Sequence, residues 1–219
     1  MSQFLKHTIL QNDFLLHSSR VVYWEQEQIL ILSDVHFGKV SHFRKNGIAV
    51  PLDIMKEDIQ RLFDSIQFFK PKKVIIVGDL FHSVKNNEHD FFMRWRNDLP
   101  HIEFVLVKGN HDIVFEDWYI KANIKLVSNC LQIQNFYFVH QQEDFKNEAE
   151  GNYFLFCGHV HPAIVLKGMG RQSLKFPCFY FTNNQLLLPA FGKFTGNFIV
   201  EPKKHETAYV IVNKDVIKL

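Results

Sequence analysis

A chain of 219 residues with 47% hydrophobic and 22% charged residues fits one globular domain spanning 1–219, and excludes a disordered or fibrous protein. The formal net charge of +2 comes from scattered lysines and arginines, as in Lys72-Lys73 and Lys203-Lys204, so no basic arm announces nucleic acid, though a locally positive surface can still guide a polyanion. Cys130, Cys157 and Cys178 are odd in number and far apart, which suits reduced, packed thiols in a cytoplasmic protein rather than a disulfide framework.

The N-terminal segment MSQFLKHTILQND has no basic stretch followed by an apolar one, and nowhere does an apolar run approach the roughly 18 residues of a membrane span. A cytosolic protein with no membrane contact is therefore expected. QILIL (28–32) is the first short apolar run and predicts a strand. PLDIMKEDIQRLFDSIQFFK (51–70) follows, with Met55, Ile59, Leu62, Phe63 and Ile66 at helical spacing behind a capping Asp53. KVIIV (73–77) predicts a second strand, EHDFFMRWRND (88–98) a second helix and IEFVLV (102–107) a third strand. Beyond these, FYFV (136–139), YFLF (153–156) and AYVIV (208–212) are further strands, and the 23 phenylalanines concentrated in such runs are core material. The N-terminal half thus alternates β and α while the C-terminal half is mostly β. That order predicts a sheet with helical crossovers joined to a more antiparallel sheet.

Polar residues gather where the apolar runs stop. Asp34 and His36 end the first strand, Asp79 and His82 the second, and Asn110, His111 and Asp112 the third; His140 follows FYFV, and His159 and His161 follow YFLF. In open α/β sheets ligands bind beyond the carboxyl ends of strands, so these side chains are expected to converge. Asp34 and His36 are two residues apart, as are His159 and His161, a spacing that on extended backbone points both to one side. Gly78, Gly109 and Gly158 precede the polar residues and permit sharp exits from the strands. Carboxylate, carboxamide and imidazole donors without thiolate suit Mn, Fe or Zn, and a carboxylate such as Asp79 can bridge two cations that clamp a phosphoryl group. Any one of these short motifs is an ordinary turn; five in this order point to a metal site.

The ordered set DVH, GDLFH, GNHD, His140 and GHVH resembles the calcineurin-like metallophosphoesterase superfamily across residues 34–161. The resemblance implies an α/β four-layer αββα sandwich with two divalent metal ions, Mn²⁺ in first place and Fe or Zn as alternatives. LSDVHFGKVSHFRKNGIAVP, GRQSLKFPCF and LPAFGKFTGN further resemble the ligase-associated DNA damage response endonucleases, the PdeM group, and extend the likeness over nearly the whole chain. Lys175 in place of a usual Arg, and HQQ after His140, depart from that group's pattern and bear on substrate detail. Carried over, Asp34, His36, Asp79 and His161 hold one metal, and Asp79, Asn110, His140 and His159 the other. His111 matches the catalytic histidine, with Asp112 orienting or charging it, and His82 matches an additional histidine of the nucleases. Water activated by the metals would attack phosphorus in line, without a covalent intermediate.

His42, Arg44 and Arg171 are candidate phosphate contacts, Arg44 by a bidentate grip, with Lys193 a weaker one; Phe191 and Phe194 either stack on a base or pack their own loop. The resulting expectation is a phosphodiesterase acting on single-stranded or damaged DNA in repair. The resemblance also implies the company of an ATP-dependent DNA ligase, a helicase and an exonuclease-like protein. Two other readings stand beside it: a phosphodiesterase for small substrates such as cyclic nucleotides, which the near-neutral charge favours, and a non-catalytic scaffold, which the full ligand set disfavours.

Overall fold

The computed structural model describes residues 3–39, 43, 47, 53–82, 87–146, 151–168 and 172–219. The first sheet runs in chain order. Strands β1 (Phe4–Ile9), β2 (Asn12–His17), β3 (Val21–Trp24) and β4 (Ile29–Leu32) form an antiparallel meander; β5 (Lys73–Val77), β6 (Glu103–Val107) and β7 (Ile124–Val127) then add parallel to β4. Parallel pairing needs crossovers, which α1 (Asp53–Phe69), α2 (Asn87–Asn97) and α3 (Glu116–Lys121) supply.

The second sheet contains β8 (Cys130–Ile133), β9 (Phe136–Val139), β10 (Phe154–Cys157), β11 (Pro162–Lys167), β12 (Ser173–Phe181), β13 (Gln185–Leu187) and β14 (Phe198–Ile199). Its order is β14-β11-β12-β13-β10-β9-β8, and β15 (Thr207–Val212) and β16 (Asp215–Lys218) extend it from β12. β9, β10 and β13 are mutually parallel, so this sheet is mixed rather than simply antiparallel.

Alternation along β4, β5 and β6 explains their unbroken apolar sequences. Leu30, Leu32, Val74, Ile76, Phe104 and Leu106 face the helices, where Leu62, Ile66, Phe92, Trp118 and Tyr119 cover them. Ile29, Ile31, Ile75, Val77, Val105 and Val107 face the second sheet and meet Phe136, Phe138, Phe154 and Phe156. Strands buried on both faces carry no polar position until they end. Burying one such side chain stabilises the fold by about 1.5–3 kcal/mol. The helix face of α1 is narrower than its spacing predicts: Leu62 and Ile66 are buried and Ile59 partly so, but Phe63 lies at the exposed edge.

The expected α/β sandwich is present with its helices unevenly placed. All three α-helices among the described residues pack on the first sheet, while smaller apolar clusters around Cys178 and Cys157 occupy the second. The three cysteines are free thiols, and burial pushes Cys157 and Cys178 up to about 12, which keeps them protonated and inert. No helix among the described residues is long and apolar enough to cross a membrane.

Candidate metal centre

Beyond Leu32 and Val77 the chain keeps its parallel pairing while leaving strand geometry. Asp34 N–H donates to Gly78 O at 3.1 Å, His36 N–H to Asp79 O at 2.9 Å and Phe37 N–H to Leu80 O at 2.9 Å. Between these bonds the backbone turns left-handed, with φ of 52° at Asp34, 52° at His36 and 53° at Asp79; His159 at 66° and His161 at 54° do the same after β10. The two-residue spacing therefore does not bring Asp34 to His36, or His159 to His161, by strand alternation as expected. Left-handed residues set these side chains instead, each costing about 1–3 kcal/mol that the surrounding packing must offset.

Two glycines make the convergence possible. A Cβ on Gly78, whose φ is +80°, would lie 1.9 Å from His140 Nδ1, and one on Gly109 would lie 2.2 Å from Asp79 Oδ1. Each glycine thus occupies the space next to a candidate ligand.

The side chains form two overlapping clusters. Asp34, His36 and His161 place donor atoms within 4.8 Å of one another, and so do Asp34, Asp79 and His140. His161 Nε2 lies 3.1 Å from Asp34 Oδ1, His140 Nε2 3.5 Å and His36 Nε2 3.7 Å from Asp79 Oδ2. Asn110 Oδ1 is 3.1 Å from His140 Nε2, and the His159 ring is 5.1 Å from that of His140. All seven residues expected to hold metal lie in this group, and Asp34 joins Asp79 in standing between its halves.

The donor set fits divalent cations. His140 Nδ1 lies 3.2 Å from Val77 O and His161 Nδ1 3.1 Å from Gly196 O. Donation to those carbonyls leaves both Nε2 lone pairs facing carboxylates, the arrangement by which outer partners orient ligating histidines. Both ring nitrogens of His36 are buried without a hydrogen-bond partner, which is costly for a polar ring unless a cation takes one of them. Burial holds the His36 imidazolium down to about 2, so the neutral ring is the form present. Burial also pushes Asp79 upward, aided by the charge of Asp34; for Asp34 itself, burial is outweighed by His161 and His140, and its carboxyl falls below the ordinary range.

Three further residues frame the centre. The His111 ring lies 5.4 Å from that of His36 and 4.7 Å from that of His82, and the His111 backbone N–H donates to Asp79 Oδ1 at 2.9 Å. His82 is 5.4 Å from His36. Asp112, expected to orient or charge His111, spends its carboxylate on backbone amides. Its buried carboxylate accepts from Asp79 N at 2.8 Å, Leu80 N at 2.9 Å, Phe81 N at 3.2 Å and Gly109 N at 2.9 Å, tying the turn after β5 to that after β6. Burial pushes its carboxyl up to about 6 against the pull of these amides. Asp112 is a positioning residue.

His42, Arg44 and Arg171 lie outside the described residues. Phe191 is fully buried beneath Arg61, so it packs the loop, and Phe194 meets Phe43 at 5.3 Å. Lys39 was not singled out by the sequence. It is half-buried, and burial lowers the pKa of its amine against the opposing pull of Asp79 and Asp34. Its place at the end of DVHFGK was the available signal.

A two-sheet sandwich whose strand ends pool two carboxylates, a carboxamide and four imidazoles defines a metallophosphoesterase centre. Residues 28–191 match the calcineurin-like phosphoesterase family model, and the chain belongs to that family. Among solved structures it is similar to Pseudomonas putida nuclease MPE, with 26% identity and a TM-score of 0.81 over 99% of this chain and 100% of that one. A weaker likeness is to Yfce, a phosphoesterase from E. coli, at 13% identity and a TM-score of 0.47, covering 87% of this chain and 97% of that one. No curated protein matches.

Proposed function

We propose that the chain is a phosphodiesterase that cleaves DNA inside a strand with two divalent metal ions, Mn²⁺ foremost. The observation that carries this reading is the pairing of a complete donor set with His111 at its edge, in a chain similar to the Pseudomonas putida nuclease along nearly its full length. Asp34, His36, Asp79 and His161 would hold one cation; Asp79, Asn110, His140 and His159 would hold the other. Bound there, divalent cations supply charge neutralisation at the phosphoryl oxygens and acidify water near neutral pH.

The protein's own residues do the rest. His111, half-buried with its backbone fixed on Asp79, faces the space over His36 and His82, where it can donate a proton to the departing oxygen or a hydrogen bond to the phosphoryl group. Lys39 adds positive charge beside the two carboxylates. Single-stranded or damaged DNA as substrate, a setting in cytoplasmic repair and the company of a ligase, helicase and exonuclease-like protein belong to the same proposal. The full donor set weighs against a non-catalytic scaffold, and the net charge of +2 keeps a small diester as the second reading.

The test is hydrolysis by metal-stripped protein, with and without Mn²⁺, of an aryl phosphodiester, a cyclic nucleotide and a labelled single-stranded oligonucleotide. Manganese-dependent internal cleavage of the oligonucleotide is the expected result. Activity confined to the small diesters would move the protein to the second reading, and inactivity with both metals bound would retire both.

A further inference from the structure

A second charged feature lies on the catalytic side of the molecule. The turns β2–β3 and β15–β16, the middle of β12, Arg61 of α1 and loop 190–193 enclose a cleft of about 590 Å³. Ser18, Ser19, Arg20, Arg61, Lys193 and Lys214 line it. Topology sets its position. β3 is antiparallel to β4, so the β2–β3 turn lies beside the end of β4 that carries Asp34. Loop 190–193 pairs with that same end: Phe191 N–H donates to Ser33 O at 2.8 Å and Gly192 N–H to Asp34 O at 3.0 Å. β13 ends with β10, and β12 and β15 alternate from it, which brings Asn213 and Lys214 to the same side.

The cleft wall is built rather than incidental. Arg20 Nη1 donates to Ala190 O at 3.0 Å and Gly192 O at 3.1 Å. Arg61 lies 4.3 Å over the Phe191 ring, donates to Phe191 O and pairs with Asp58 at 2.8 Å. Asp58 also accepts from Lys193 N at 3.1 Å, while Lys193 Nζ pairs with Glu57 at 2.6 Å. Asp58 and Glu57 offset two of the four cations, leaving a surplus of positive charge with Lys214 at the open edge, where it forms no ion pair among the described residues. Burial, with Arg61 adding like charge nearby, brings Arg20 down to about 10; it remains charged at neutral pH in a site that an anion would relieve.

We infer that this cleft is a second anion site, which holds a phosphate of the substrate away from the scissile bond. The inference rests on the phosphodiesterase reading and makes it specific: a strand that crosses the metal centre places another phosphate against Lys214 and the Ser18-Ser19 hydroxyls.

Binding of a labelled single-stranded oligonucleotide to metal-free protein, across a salt series, tests it. Lys214→Glu should weaken binding about tenfold and lower the salt slope by about 0.7, the loss of one phosphate contact on a single strand. Lys204→Glu, the same charge change before β15 at the opposite end of the sandwich, should do neither. Equal responses of the two variants would overturn the inference. If removing a 5′-phosphate from the strand abolishes the Lys214→Glu effect, the cleft holds a terminal phosphate; if not, it holds an internal one. Inorganic pyrophosphate provides a probe independent of DNA. Pyrophosphate binding that is lost in Lys214→Glu, in a wild type that cleaves only small diesters, would retire the DNA reading and leave the anion site standing.

Discussion

The two ends of the sandwich use the same unusual backbone for different purposes. At the end away from the metal centre, left-handed residues occur at Leu10, Gln11, Gln28, Lys70, Asn123 and Gln134, where strands begin or hairpins turn, and most of these side chains are exposed to water. At the catalytic end the left-handed residues include Asp34, His36 and Asp79, all buried. The first set reverses the chain at little cost beyond conformation. The second set holds ionisable groups out of water in strained positions, a combination that persists only when something repays it. Left-handed backbone alone therefore says little; left-handed backbone with buried, converging donors marks the functional end.

Replacing Asp79, the candidate shared ligand, should break that contrast most severely. Asp79→Asn is expected to lower Mn²⁺-dependent hydrolysis by more than about 100-fold, since even residues outside the ligand shell of a metal cost 10- to 100-fold. Turnover and bound metal measured together distinguish it from a fault in substrate binding. An active variant with full metal content would show that Asp79 is not a ligand.

A pair of glycines sharpens the comparison. Gly78 and Gly151 have nearly the same φ, +80° and +81°, at opposite ends of the fold. Gly151→Ala meets nothing within 4 Å, so it should cost about 1 kcal/mol in denaturant unfolding and leave hydrolysis unchanged. Gly78→Ala drives a methyl group into the His140 ring, and should cost about 1–3 kcal/mol more through overpacking while lowering turnover at least tenfold. Equal losses of activity would remove the distinction between the ends.

Asp112→Asn tests positioning against partnership. An amide cannot accept at both oxygens, so the bonds to Asp79, Leu80, Phe81 and Gly109 would be partly lost, at about 1.5–3 kcal/mol of stability. Turnover should fall while the pH profile keeps its shape. A displaced pH profile would mean that Asp112 acts on the His111 proton after all.

The smallest effect concerns a histidine outside the centre. His17 packs against Phe68 and Phe69, and burial lowers its pKa to about 4. The unfolded chain binds the proton more readily, so this contribution to stability is complete above about pH 6.5 and is lost as pH falls toward 4, at most about 3 kcal/mol. The His17→Phe variant should lack that portion of the acid response in chelator-treated protein. An unchanged response would place its origin in the metal-site histidines.

The parts most readable from sequence were those with one dominant physical cause. β4, β5 and β6 are buried on both faces, so they appear as apolar runs with Asp, Asn or His at their ends, and α1 and α2 fall close to their expected positions. The β1–β3 meander went unread because half-burial makes its pattern weaker: FLKHTI alternates exposed and partly buried positions. Within the second sheet, β11 and β12 carry Pro162 and Pro177, which argue against a strand in sequence but are accommodated at Pro162, where β11 begins, and at Pro177, opposite Ala163. The candidate ligands were readable at the strand ends, but the left-handed route that gathers them was not. Asp112 beside His111 looked like a partner in one dimension; its carboxylate turns to a loop 31 to 33 residues away in sequence. The Arg20, Arg61 and Asp58 lock on loop 190–193 joins distant segments with no shared motif.

The claim on which the rest depends is that these strand ends form a binuclear centre. Equilibrium dialysis of metal-stripped protein against Mn²⁺ addresses it most directly. Two equivalents bound per wild-type chain and fewer than two in Asp79→Asn are expected. One equivalent or none in the wild type, or two retained by Asp79→Asn, would contradict it.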